Sequence, residues 1–290
     1  MRTVCTEGEL SRYYGRLRFD AGRQRRLGLL HRPLQALSAL VREYPYALSG
    51  AAHLSGLDRP AIYAVSHSEY GPENIQLVNE ILPRPCITLA NWNIRGMKPY
   101  VRAFFALSGV IYVRRDMARS RALAKAKCLE ALRAGLDVAI YPEATWNFDE
   151  ARLVLPFRHG IVKIAAATGA PIVPVSLSQL GGRYDVAVGA PLRFSFTDAS
   201  SAERETPEIF AAGDALRDAL ATLKWGVLEA YARENTENGV FMRASLPPDD
   251  FMQRVVAHTV AGHRKHGMRV DVDAERALVY RGQGPAAATK

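Results

Sequence analysis

The stretch Ala61-Ile-Tyr-Ala-Val-Ser66 is short and apolar, and it ends at His67. A run of this length and composition predicts a buried β-strand rather than an amphipathic helix. The histidine would then stand at the carboxyl end of that strand. In α/β sheets, ligands bind at this end of the strands.

Further short apolar runs follow at residues 87–90, 109–113, 138–141 and 171–177, and residues 184–188 predict an edge strand. Helical patterns lie around and between them: one that begins at Pro33, one capped by Ser120, one over residues 160–168 closed by Gly169, and one over residues 207–233. Strands that alternate with helices predict an α/β fold with a largely parallel central sheet flanked by helices. Three regions are predicted: a basic amphipathic N-terminal segment (1–45), the α/β domain (46–233) and a C-terminal extension (234–290).

The charge of the chain is concentrated near its start. The formal net charge is +9, and residues 12–32 contain seven arginines against one acid, Asp20, with Leu17, Phe19, Leu27, Leu29 and Leu30 interleaved. This mixture is typical of a segment that lies on anionic lipid headgroups, although a solvated basic arm has the same composition. Nucleic acid is not expected as a partner, because no aromatic platform or helix-turn-helix pattern accompanies the charge.

The three cysteines form no metal-binding or disulfide pattern, which favours a reducing compartment. We find no signal peptide and no apolar run long enough to span a membrane. The expected location is cytoplasmic, peripheral on the inner face of the membrane.

Three reactive residue types follow three of the predicted strands: His67, Arg115 and Glu143. A histidine can take a proton from an attacking hydroxyl, and an arginine can hold phosphate through two parallel hydrogen bonds. Each also has a structural alternative. His67 could serve packing, Glu143 could belong to an ordinary turn, and the arginines could pair with Asp116 or Glu130.

Taken in order, these segments resemble the glycerol-phosphate and lysophosphatidate acyltransferase superfamily. Four blocks of that family occur in its own order. The first begins at His67, and the second, Gly-x-x-aromatic-x-x-Arg, is matched by Gly109, Tyr112 and Arg115. The third is matched by Tyr141, Pro142, Glu143 and Thr145, followed by a stretch around Arg158, and the fourth by Pro171 to Val175.

The resemblance implies an O-acyltransferase that moves a fatty acyl group from acyl-CoA or acyl-carrier protein, as co-substrate, to a lysophospholipid or glycerol-phosphate acceptor in phospholipid biosynthesis. His67 would be the general base, and Arg115, Glu143, Thr145, Gly109 and Arg158 would bind substrate. No metal or other cofactor is implied.

The chain departs from the family pattern in two places. The family has aspartate five residues after the histidine, where this chain has Pro72, so Glu73 is the expected partner of His67 and Glu69 the alternative. The third block has Ala144 for glycine and Trp146 where many members have arginine. If neither glutamate reaches His67, a catalytically weakened lipid-binding homologue is the alternative function.

Overall fold

The computed structural model describes residues 6–42, 44–57, 59–67, 73–96, 98–147, 152–180, 182–197 and 202–234, with residue 260 and residues 271–273. Within these ranges the chain forms a β-sheet with helices on both faces, which confirms the predicted α/β class. The strands are β1 Tyr46–Ser49, β2 Ile62–Val65, β3 Cys86–Asn91, β4 Val110–Val113, β5 Asp137–Ile140, β6 Ile172–Leu180 and β7 Arg183–Val188.

The helices of the described part are α1 Glu7–Arg16, α2 Ala21–Val41, α3 Ala52–Ser55, α4 Glu73–Ile81, α5 Pro99–Ser108, α6 Ala118–Arg133, α7 Gly160–Thr168 and α8 Pro207–Glu234, with a 3-10 helix at Trp92–Gly96. Helix α7 ends as predicted, because Gly169 takes the left-handed conformation that terminates many helices (φ 64°). Most of the predicted C-terminal extension lies outside the described residues.

The strand order across the sheet is β1-β7-β6-β2-β5-β3-β4, and every neighbouring pair is parallel except β6 with β7. The prediction that residues 184–188 form an edge strand was wrong. Strand β7 is paired on both sides, since Tyr46–Ser49 adds a parallel strand outside it. Strand β1 alternates between half-buried and exposed residues and lacks the unbroken apolar run of β2 and β4, so it was not predicted.

Strand β2 is buried on both faces, which explains its unbroken apolar sequence. Ile62 and Ala64 point into one core layer, and Tyr63 and Val65 point into the other. Successive side chains of a strand point to opposite faces, and helices cover both faces of a parallel sheet. The sheet therefore holds the chain that leads into His67 on both sides.

Helix α1 protects the free edge of the sheet at β4. The Tyr14 hydroxyl donates to the Tyr112 carbonyl (2.6 Å), and the Tyr112 N–H donates to the Tyr13 hydroxyl (3.0 Å), which in turn donates to the Val110 carbonyl (3.3 Å). Unpaired backbone groups of an edge strand would otherwise be open to pairing with another chain. The first helix is thus bonded to the α/β domain.

The prediction that a helix begins at Pro33 was wrong. Helix α2 begins at Ala21, where the Asp20 side chain accepts the Arg23 N–H (2.8 Å), and Pro33 lies inside the helix. A proline in a helix leaves the carbonyl four residues earlier without its N–H donor. That carbonyl belongs to Leu29, a residue that is 79% exposed, so water can take the place of the missing donor.

The prediction that Ser120 caps a helix was wrong. Helix α6 begins at Ala118, and Ser120 is buried in its first turn, where its hydroxyl accepts the N–H of Arg114 (2.8 Å). The serine therefore fixes the point at which the chain leaves β4.

The apolar residues of the basic segment are divided between the core and the surface. Leu17, Phe19 and Leu27 are buried in the core, Leu30 is half-buried, and Leu29 is exposed. Fewer apolar side chains of the segment are exposed to solvent than its composition suggests, because its helices pack onto the domain. No helix in the described ranges has both the length and the apolar content needed to cross a bilayer.

Candidate active site

The carboxyl ends of four neighbouring strands form the candidate site. Strands β2, β5, β3 and β4 lie side by side in this order and run in the same direction. His67 follows β2, Glu143 follows β5, and Arg115 follows β4. The fold thus brings to one edge of the sheet three residues that lie up to 76 positions apart in sequence.

Glu143 ties the histidine to the turn after β5. Its side chain is buried (4% exposed), and one carboxylate oxygen accepts the backbone N–H of His67 at 2.7 Å. The other oxygen accepts the backbone N–H of Leu155 at 2.8 Å. A carboxylate that accepts N–H bonds forms charge-assisted hydrogen bonds, which are the stronger kind. Glu143 therefore holds the backbone at His67 in place.

The imidazole of His67 packs between two aromatic rings from the same turn. The centre of its ring lies 5.0 Å from that of Tyr141 and 5.3 Å from that of Trp146. Burial raises the pKa of the Tyr141 hydroxyl, which therefore stays protonated at neutral pH. The tryptophan that replaces the family's arginine is thus a wall of the histidine site.

Arg115 reaches this turn from β4. Its guanidinium donates to the carbonyl of Ala144, and the side chain is half-buried. The preceding Arg114 instead pairs with Asp116, one of the partners that the sequence left open for the two arginines. Arg115 therefore lies at the turn that holds His67, and Arg114 points to a surface carboxylate.

The turn has a strained residue at its centre. Ala144 has a φ of 60°, and its N–H donates to the Tyr141 carbonyl (3.0 Å). The left-handed conformation costs a residue with a Cβ about 1 to 2 kcal/mol, a cost that glycine avoids. The alanine thus occupies a position where the local backbone favours the family's glycine.

Two further predicted residues border the turn. Thr145 is buried (2% exposed), and the backbone N–H of Arg158 donates to the Pro142 carbonyl at 3.0 Å. The Arg158 side chain is exposed. Backbone bonds from Leu155 and Arg158 therefore pack the segment before α7 against the turn.

Gly109 lies away from this edge. It stands before β4, at the opposite end of the strand from Arg115, and its N–H donates to the Phe105 carbonyl (3.1 Å). Its φ is 94°, and a Cβ here would lie 2.6 Å from Cδ1 of Ile87. The structure thus gives Gly109 a backbone role between α5 and β4, and its predicted role in substrate binding stays a prediction.

The two glutamates predicted as possible partners of His67 have side chains outside the described part of the structure. Helix α4 begins at Glu73, whose side chain is outside the described residues, and so is the whole of Glu69. The choice between the two glutamates therefore stays a prediction.

Two contacts of the site were not predicted: that of Trp146 with His67 and the backbone bond from Leu155 to Glu143. Trp146 was identified from the sequence only as a departure from the family pattern. Its edge-on contact with His67 joins two chain segments that only the sheet brings together. Leu155 contributes a backbone N–H, which leaves no signal in side-chain identity.

The chain is similar in sequence and fold to known acyltransferases. Residues 43–178 match the family described as Acyltransferase. A 1-acyl-sn-glycerol-3-phosphate acyltransferase of Borreliella burgdorferi is 36% identical over 93 residues, which are 32% of this chain and 36% of that protein. A chloroplastic 1-acyl-sn-glycerol-3-phosphate acyltransferase of Brassica napus is 26% identical over 168 residues, 57% of this chain and 46% of the relative. The chain therefore spans less than half the length of either relative.

Among solved structures, the 1-acyl-sn-glycerophosphate acyltransferase PlsC from Thermotoga maritima has a similar fold. The TM-score is 0.53 at 17% sequence identity, and the match covers 78% of this chain and 88% of that one. This similarity supports the fold. The matched range 43–178 contains β2 to β5, the turn after β5 and every residue of the site described above. Residues 43–178 therefore form a domain that matches the acyltransferase family.

Proposed function

We propose that this protein is an O-acyltransferase that moves a fatty acyl group from an acyl-CoA or acyl-carrier-protein thioester to the hydroxyl of a lysophospholipid or glycerol-phosphate acceptor in phospholipid biosynthesis. The observation that carries the proposal is the turn at residues 141–147. Its Glu143 binds the backbone of His67, and its Ala144 carbonyl binds the guanidinium of Arg115. One turn thus contacts both His67 and Arg115, which supports their proposed roles as base and phosphate contact.

His67 is the proposed general base. The acceptor hydroxyl oxygen attacks the thioester carbonyl carbon while the imidazole takes the hydroxyl proton. The carbon–sulfur bond then breaks, and the departing thiolate takes the proton back from the imidazolium. The products are an ester and a free thiol, so the histidine is regenerated without an acyl-enzyme.

Arg115 is the proposed contact for the acceptor phosphate. Its planar guanidinium presents donors in a fixed fork that matches the oxygens of a phosphate. Its bond to the Ala144 carbonyl places it at the turn that also contacts His67. Trp146 adds an apolar surface beside His67, where the family's arginine would add a second cation. This favours an acceptor whose head group is bulkier or less anionic than a simple phosphate.

An anionic membrane surface is the proposed place of work. Helix α2 exposes Leu29 (79%) and Leu40 (82%), and the cations Arg25, Arg26 and Arg32 are exposed on the same helix. Each cation near an anionic surface contributes about 1 kcal/mol. The protein should sediment with anionic vesicles and be released as salt rises, whereas equal binding to neutral vesicles would contradict the electrostatic contribution.

The enzyme proposal is tested by replacing the base. His67→Ala should lower turnover by about 10² to 10⁴-fold, the usual contribution of general-base catalysis, while the protein stays folded. Labelled acyl-CoA and acyl-carrier protein would be incubated with a panel of lysolipids and glycerol phosphates, and the products identified by mass.

Two conservative variants identify the partner of the base. Glu73→Gln should lower turnover more than acceptor binding, because it acts through the orientation of the imidazole. Glu69→Gln is the matched control and should have little effect, and the opposite pattern would assign the role to Glu69. Acceptor binding without any acyl transfer by the unmodified protein would favour the lipid-binding alternative.

A further inference from the structure

A basic cleft lies between helix α1 and the 3-10 helix that follows β3. Its volume is about 360 Å³, and its lining residues are Glu9, Arg12, Tyr13, Arg16, Leu17 and Arg95. The volume lies at the lower end of the range of about 300 to 1,000 Å³ typical of small-molecule sites. We call it the α1 cleft.

The arginines of the α1 cleft form no ion pair with the other residues that the structure describes. In the described part of the chain, no carboxylate lies within salt-bridge distance of Arg12, Arg16 or Arg95. The one acid of the cleft, Glu9, binds the backbone N–H of Thr6 at 2.9 Å and so caps helix α1. Three cations therefore line the cleft, two on α1 and one on the 3-10 helix, while its acid caps α1.

Aromatic rings hold the cation of Arg95 in place. Its guanidinium carbon lies 4.3 Å from the centre of the Trp92 ring, 5.5 Å from that of Tyr13 and 5.9 Å from that of Tyr112. A guanidinium stacked on aromatic faces keeps its N–H edge available for hydrogen bonds. The hydroxyl of Tyr13 is itself bonded to β4, so the wall behind Arg95 is fixed to the sheet.

The charge of the lining indicates the ligand. Three positive and one negative side chain leave two positive charges at neutral pH. A phosphate monoester carries a charge of about −1.5 to −2 and several acceptor oxygens, which match guanidinium donors in geometry as well as sign. A carboxylate or a phosphodiester carries a single negative charge and would neutralise only one of the two positive charges of the lining.

The α1 cleft is distinct from the proposed acceptor site. Arg95 follows β3 and His67 follows β2, with β5 between them, so the two strand ends are about 10 Å apart. Arg115, the proposed acceptor contact, is not part of the lining.

We infer that the α1 cleft binds a phosphate monoester, carried either by a lipid headgroup or by a soluble molecule, independently of the acyl-transfer reaction. The arginines of α1 and Arg95 contact the phosphate, and Tyr13 and Leu17 contact the atoms next to it. The N-terminal helix, which also covers the edge of the sheet, thereby gains a recognition role.

Binding assays with soluble and membrane probes test the inference. Coenzyme A, which carries a 3′-phosphate monoester, and inorganic phosphate are the soluble probes, measured by calorimetry. Phosphatidylcholine vesicles containing phosphatidic acid are the membrane probe, and vesicles with the same surface charge supplied by oleate are the control without a monoester.

Arg95→Gln and Arg16→Gln should each weaken binding of at least one phosphate probe about tenfold or more, as expected for the loss of a charged hydrogen bond. Both side chains are exposed, so the variants should fold. Arg133→Gln, an exposed arginine at the end of α6, makes the same change in net charge and should bind like the unmodified protein. If Arg95→Gln and Arg16→Gln weaken binding only to the phosphatidic acid vesicles, the ligand is a lipid headgroup. If they weaken binding only to coenzyme A or phosphate, the ligand is a soluble molecule.

The inference is overturned if Arg95→Gln and Arg16→Gln bind every probe as Arg133→Gln does. It is also overturned if the two substitutions weaken binding to oleate vesicles as much as binding to phosphatidic acid vesicles, because charge alone would then explain the effect. Binding that is lost in Arg115→Gln but kept in Arg95→Gln would place the phosphate at the acceptor site instead. None of these results depends on acyl transfer, so the proposed function stands or falls separately.

Discussion

Replacing Glu143 by glutamine separates two roles that this residue could have. The family resemblance assigns Glu143 to the acceptor's polar head, whereas the structure shows its two oxygens accepting the N–H groups of His67 and Leu155. Glutamine has nearly the same shape, but its amide NH₂ can only donate. One of the two backbone N–H groups would then face another donor in a buried site.

The magnitude follows from the bond that is lost. A hydrogen bond to a charged group contributes about 1.5 to 3 kcal/mol, so Glu143→Gln should lower the free energy of unfolding by about 2 kcal/mol. If the same free energy appears as displacement of His67, turnover should fall about 30-fold, since 1.36 kcal/mol corresponds to a factor of ten. KM for the acceptor should change much less, because the residue acts through the position of the base.

The assay combines steady-state kinetics with denaturant unfolding, and Glu130→Gln is the matched control. Glu130 also accepts a backbone N–H, from Phe19 at 2.9 Å, but it lies on α6 rather than in the turn at residues 141–147. The control should therefore lose stability and keep its turnover once folded. A Glu143→Gln variant with a raised KM, unchanged kcat and unchanged stability would refute the positioning role and restore the acceptor-binding role.

Other predictions follow from the same structure. Arg115→Lys should impair turnover measurably, because a point charge cannot bond the turn and a phosphate with one planar fork; kinetics like those of the unmodified protein would move the phosphate contact elsewhere. Ala144→Gly should raise the free energy of unfolding by about 0.5 kcal/mol, since relief of the left-handed strain exceeds the added freedom of the unfolded chain; a clear loss of stability in urea would contradict this. Burial lowers the pKa of His31 below its usual 6.5. The unfolded chain therefore binds more protons near pH 6, stability should fall as the pH drops below about 6.5, and His31→Gln should flatten that slope.

The strands that carry the site could be predicted from the local composition of the chain. Runs such as residues 61–66 and 138–141 are apolar throughout because helices cover both faces of the sheet, so local composition was enough to find them. The order of the motifs also placed His67, Glu143 and Arg115 at strand ends, since each follows its run directly. These are local properties of the chain, and they were predicted correctly.

The contacts of the residues at those strand ends are visible only in the tertiary structure. The bond between His67 and Glu143 spans 76 positions, and those between α1 and β4 span 97 to 99. Hydrogen bonds over such separations depend on the order of strands in the sheet, which leaves no periodic signal in the sequence. Glu143, which is predicted to bind substrate, accepts the backbone N–H of the proposed base, because the sheet brings the two strand ends side by side.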